Sequence, residues 1–279
     1  MVESGKEAAV AASLALLLEV SGNPKAGNVD REHDFEDLKY EHFLASAVGA
    51  LPVFLEISTS RKVGEGIYRA VVESRRWHTA VNVHFGAFLL LVPLVAAWDE
   101  GGKEEVAAGA VELLKKTSYE DSLFVLRAFR MSEARVVEAA KMDLSDDETE
   151  REIKEREINL YEWMKMAPKE NLIARELVEG YGISLKGAEL LMSLEGDVNE
   201  RIVFLYHTLL SKYPDPLIMA KKGRDYARRV MEMAGRVLKE EMLIEELDRE
   251  LLENGANPGT IADLTASSIY LALIEGWRV

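Results

Sequence analysis

Cysteine is absent from the 279 residues. That excludes thiolate nucleophiles, cysteine-based zinc sites and disulfides, and it suits a cytoplasmic protein. Proline is scarce at seven residues and glycine numbers nineteen, too few breaks for an all-β chain of this length. Basic residues are outnumbered 34 to 49 by acidic ones, giving a net charge of −15. Such a surface repels nucleic acid and anionic membranes, so neither is expected as a partner. An anionic ligand would need a local cluster of Lys or Arg, helix N-termini or a bridging cation. Two apolar stretches could be misread as membrane segments. The stretch "AAVAASLALLLEV" imitates a signal peptide, but Glu3 and Glu7 stand among its leading residues and Glu19 occupies the place of a small, neutral cleavage region. The stretch "FGAFLLLVPLVAAW", Phe85 to Trp98, is too short to span a bilayer. Both predict buried helices.

What is present is helical periodicity. The chain is 48% hydrophobic and 30% charged, enough for a core and too ordered a composition for disorder. Apolar residues recur at spacings of three and four near 5–20, 38–57, 63–76, 84–98, 103–116, 119–130 and 132–142. The pattern resumes near 148–166, 169–180, 184–192, 198–212, 217–253 and 259–276. "VNVHF" is the one short strand candidate. The acidic run from Asp143 to Glu157 reads as a solvated helix start with Ser145 as N-cap, or as a binding tail. With no repeat and no Gly/Ser/Pro-rich linker, the expectation is a single all-α domain over 1–279.

Five stretches interrupt the helices with residues that chemistry can use. In "SGNPKAGNVD", Gly22 can close a helix with positive φ and Pro24 prevents its continuation. Gly27 lets backbone approach a ligand, and Lys25 adds a cation, although turns prefer the same residues. In the next stretch Asp34 suits an N-cap, and Asp37 and Glu41, four apart, would share a helix face open to a divalent cation. In "NVHFG", Asn82 either caps the following apolar helix or, with His84, meets a ligand. In "YPDPLIMAKKG", Asp215 as cap and Pro216 at the first helical position suffice structurally, with Lys221 and Lys222 further on. In "NPGTIADL", Asn257 can cap, Pro258 fits the first turn, and Gly259 leaves the opening amides bare as an anion site. Asp263 then enters a helix that is otherwise small or apolar, which is costly unless it is paired or bound to a cation.

Taken together, "SGNPKAGNVD", "DLKYEHFLAS", "NVHFGAFLLLVPL", "PDPLIMAKKG" and "NPGTIADLTA" resemble, in order and approximate spacing, the triphosphoribosyl-dephospho-CoA synthase family, closest to its archaeal branch. The resemblance runs from about Glu19 to the C-terminus. It implies an all-α transferase that joins ribose C1′ of ATP to the 2′-hydroxyl of 3′-dephospho-CoA and releases adenine, with Mg²⁺ accompanying the triphosphate. Under it, Glu19, Asp37 and Asp263 are the candidates for catalysis, with Asp37 and Asp263 also candidate metal ligands. Lys25, Gly27, Asn28, Asn82, His84, Asp215, Lys221, Asn257, Gly259 and Thr260 are the candidates for substrate and phosphate contacts. Lys25 is expected to face the phosphates where the first and last loops meet. The partners implied are a nucleotide and a CoA-type acceptor; a homo-oligomer is left open.

The chain departs from that pattern at Ala26, where a second proline is usual, at Ala220, where a basic residue is usual, and at Asn171, where an Asp is usual. "RMSEARVV" replaces a glycine-rich turn. Two alternatives follow: the same fold with another acceptor, or a nucleotide-binding protein without catalysis.

Overall fold

The computed structural model describes residues 2–99, 101–133 and 148–279. The Ser145 cap, most of the helix expected over 132–142 and much of "RMSEARVV" fall outside them. Among the described residues there are fifteen helices and no strand, so the all-α expectation holds.

The two most apolar helices form the centre. In α4 (Phe85–Ala97) every residue except Gly86 is buried, and in α15 (Gly259–Ile274) every residue except Gly259 and Asp263. Each fully buried Leu, Ile or Phe contributes roughly 1.5–3 kcal/mol, so these helices anchor the fold. Around α15 pack α1 (Gly5–Ser21), α10 (Gly182–Ser193) and α11 (Val198–Lys212), and against α4 pack α2 (Tyr40–Ser60), α3 (Val63–Arg75) and α5 (Lys103–Lys115). The stretches that imitate membrane segments are therefore core helices. By length and composition alone α2 could cross a bilayer; in this fold it packs on α1, α3 and α4.

One wall is completed by α6 (Tyr119–Ser132), α7 (Thr149–Glu155), α8 (Leu160–Lys165) and α9 (Leu172–Glu179). Helices α12 (Pro216–Lys222), α13 (Arg224–Val237) and α14 (Ile244–Glu253) pack on one another and on α11 and α15. Two long periodic stretches are broken by left-handed residues that periodicity does not reveal. The 148–166 segment divides near Glu157 (φ 49°), and 217–253 divides at Gly223 (φ 89°) and near Glu240 (φ 58°). Gly22 corrects another expectation. It ends α1 at φ −62°, and glycine is needed because a Cβ would come within 2.8 Å of Ile202. "VNVHF" forms no strand: it is irregular as far as His84 (φ 61°), and its last residue, Phe85, begins α4.

Candidate active site

A cavity of about 620 Å³ opens among the first turns of α4 and α15, the end of α12, the loops before α2 and α4, and the α8–α9 wall. Of the candidate residues, Glu19, Asn28, Asp37, Asn82, His84, Lys221, Asn257, Gly259, Thr260 and Asp263 line it. Lys25, Gly27 and Asp215 do not, and each has a structural reason.

The loop from Asn23 to Asp30 is fixed at almost every residue. Asn199 bonds the Asn23 amide (2.8 Å) and carbonyl (2.5 Å), and the Lys25 amide donates to Asp30 Oδ2 (3.0 Å). Ala26 donates to His207 Nε2 (3.4 Å) and accepts from Tyr206 Oη (2.9 Å). A proline at Ala26 would lack that donor, so the departure there adds a tie. Gly27, at φ 70°, donates to Asp248 Oδ1 (2.8 Å). Its missing side chain admits Leu251, which a Cβ would meet at 2.7 Å, rather than a ligand. Asn28 then reaches the other end of the chain, its Nδ2 donating to Asn257 Oδ1 (3.2 Å) and Pro258 O (3.4 Å). The first and last loops do meet. The Lys25 ammonium, however, is buried against the Glu19 carboxylate, with the Tyr206 ring 5.6 Å away.

Asp215 is a double cap. Its Oδ1 accepts from Leu217 (2.8 Å) and Ile218 (3.0 Å) at the start of α12, and its Oδ2 accepts from Ile261 (2.9 Å) in α15. Asn257 and Pro258 sit one position earlier than expected. Pro258 is the N-cap, Asn257 engages Asn28, and the Gly259 amide turns back to Asn257 O (2.8 Å). The opening amides of α15 are thus largely satisfied inside the protein, which corrects the reading of them as a bare anion site. Burial pushes the Asp215 carboxyl up to about 6, against the pull of the Ile218, Ile261, Leu217 and Thr260 amides. A carboxyl whose folded pKa lies above its unfolded one contributes stability below pH 4 that is lost as pH rises through 6, on the order of 2–3 kcal/mol. Asp215→Asn is therefore expected to flatten the fall in stability between pH 4 and 6.5, read as urea midpoints. Parallel pH profiles for the two proteins would refute that role.

Asp263 lies where the two central helices lose their burial. Gly86 stands beside it: a Cβ there would overlap Asp263 Oδ2 and come within 2.7 Å of Ile173. Burial, together with the charges of Glu19 and Asp215, pushes the Asp263 carboxyl well above the usual range, opposed only by the Ala87 amide. Among the described residues Asp263 has no ion-pair partner, whereas Glu19 has Lys25. Burial likewise raises Glu19, with the Lys25 charge and hydrogen bond acting against it.

His84, not Asn82, is the N-cap residue of α4, and it makes no side-chain cap bond. Its Nδ1 meets Ser46 Oγ at 3.0 Å, Phe43 and Phe88 hold the ring edge-on, and Nε2 has no partner among the described residues. Burial lowers its pKa to about 3, so the ring is neutral.

At the rim, Asp37 is exposed and precedes α2, which starts at Tyr40. It does not share a helix face with Glu41, and Asp34 instead bonds the Tyr40 amide (2.8 Å). Lys221 and Lys222 line the cavity, whereas Ala220 is exposed and does not. Asn171 lines the cavity and caps α9 through Ala174 (3.0 Å), a cap that Asp and Asn make equally well. Sequence reasoning missed the apolar wall of Phe35, Phe43, Trp163, Met164, Met166 and Ile173. The Trp/Met cluster in "YEWMKMAP" was its only signal.

The model of the CitG family, described as ATP:dephospho-CoA triphosphoribosyl transferase, matches residues 5–279. The structure is similar to the crystal structure of a provisionally assigned triphosphoribosyl-dephospho-CoA synthase from Archaeoglobus fulgidus. The two are 57% identical, with a TM-score of 0.76, over 86% of this chain and 100% of that one. No functionally curated protein matches the sequence. The ordered motifs, the helical fold and the family match over nearly the whole chain agree: the protein belongs to the CitG family and is an ATP:dephospho-CoA triphosphoribosyl transferase.

Proposed function

We propose that the cavity binds ATP with its ribose against Glu19 and Asp263, its triphosphate toward Lys221 and Lys222, and its adenine toward Asn82 and His84. One observation carries this reading. Two carboxyl groups from opposite ends of the chain, Glu19 and Asp263, share one cavity that also carries two lysines. In the transfer, the C1′–N9 bond of ATP breaks, the 2′-oxygen of 3′-dephospho-CoA bonds to C1′, and adenine leaves with the bonding pair and gains one proton, in balance with the one the acceptor hydroxyl loses. Positive charge builds on the ribose as the base departs, and the Glu19 carboxylate stabilises it. Glu19 also takes the proton of the acceptor hydroxyl. The unpartnered Nε2 of His84 and the Asn82 amide offer hydrogen bonds to the departing base.

Among the described residues no group of three or more His, Asp or Glu could hold a metal ion alone. Mg²⁺ does not require one, since it is commonly bound by one or two carboxylates together with substrate phosphates and waters. Asp263, a carboxyl facing the cavity with no ion-pair partner among the described residues, and Asp37 at the rim of the same cavity are the residues that would hold it. When bound, the ion would offset the charge of the triphosphate. ATP and a CoA precursor as substrates favour a cytoplasmic setting.

Incubation with Mg-ATP and 3′-dephospho-CoA is expected to release one adenine per acceptor consumed, followed by chromatography. ATP binding without adenine release would overturn the catalytic reading. Release only with a different alcohol would overturn the acceptor assignment.

A further inference from the structure

Lys25 looks by position like a phosphate ligand, yet its surroundings argue otherwise. Its side chain is 0% exposed, its ammonium donates to the Glu19 carboxylate, and the Tyr206 ring lies 5.6 Å from it on the buried side. Glu19 lines the cavity and Lys25 does not, so Glu19 is the member of the pair that faces the cavity. The backbone around Lys25 is also pinned. Residues 25, 26 and 27 each donate an amide hydrogen bond, to Asp30, His207 and Asp248. A lysine reaching for phosphate would have to abandon a buried carboxylate, and leaving a buried charge unpaired is costly.

We infer that Lys25 is a positioning residue: it holds the Glu19 carboxylate in place against the ribose and does not itself contact the triphosphate. The inference rests on the role proposed for Glu19. A flexible acid with three side-chain torsions is fixed at its tip by one buried cation, and misplacement of a reacting group by about 1 Å can cost about 10²-fold in rate.

Kinetics of Lys25→Met, Lys25→Arg, Glu19→Gln and the double variant Glu19→Gln/Lys25→Met test it. Lys25→Met is expected to lower kcat about 10²-fold with KM for ATP nearly unchanged. Lys25→Arg, which keeps the charge, should recover part of that loss. Should Lys25→Met fail to fold because it strands Glu19, the double variant removes both charges and supplies the comparison. It should match Glu19→Gln in kcat and in KM for ATP to within about twofold, since residues acting through one another are not additive. A KM for ATP raised about tenfold or more by adding Lys25→Met to Glu19→Gln would mark a direct phosphate contact and overturn this inference alone. Wild-type turnover by Glu19→Gln would instead overturn the role of Glu19 itself.

Discussion

Asp263→Asn is expected to lower turnover about 10³-fold while leaving the protein folded and more heat-stable than the parent. Asparagine has nearly the same shape, so the packing of α15 against α4 survives, and its side-chain oxygen can still accept from the Ala87 amide. What disappears is the charge. In the free protein that charge is a burden, because burial and the neighbouring Glu19 and Asp215 all disfavour ionisation of the carboxyl. Removing it relieves the fold and deprives the site of the group that would meet a cation. Adenine release and a thermal melt, run on the same preparation, check both halves. Undiminished turnover would remove Asp263 from the mechanism, and a collapsed melt would show that its role is structural.

The second large effect is expected at Gly86, although glycine within a helix normally costs roughly 0.5–1 kcal/mol relative to alanine. Gly86→Ala should nonetheless destabilise the protein and cut turnover by about 10²-fold, because the new methyl group displaces the Asp263 carboxyl and presses on Ile173. Gly235, in α13, has nothing within 4 Å of where a Cβ would stand. Gly235→Ala is therefore expected to raise stability by about 0.5–1 kcal/mol without touching activity. Chemical denaturation and kinetics of the two variants give opposite signs if this account of Gly86 holds. A neutral Gly86→Ala would mean that Asp263 has room to move.

The helices were legible because burial writes itself into periodicity. Asp263 was legible for the converse reason, as a charge where the pattern demands an apolar residue. The division near Glu240 was not, because the apolar spacing continues across it and a left-handed glutamate carries no compositional mark; at Gly223 the continuing periodicity outweighed the glycine. Within the site, the sequence named the residues more readily than their duties. Lys25 and Asp215 belong to the right motifs, but their partners, the Glu19 carboxylate and the Ile261 amide, are fixed by tertiary packing. The wall of Phe35, Trp163 and Met164 was hidden because a residue facing a cavity and one facing the core repeat with the same period.

The joining of Asn28 to Asn257 has a consequence for the birth of the protein. Glu19 lies in α1 and Asp263 in α15, so the two halves of the site leave the ribosome far apart in time. Contacts between such distant segments form late, after the costly closure of the intervening chain. Helices α1 to α14 can be made, and can begin to pack, before any pocket exists. A chain that stops short of α15 would lack Asp263 and the edge of the cavity that α15 supplies, so adenine release is expected only once α15 has docked.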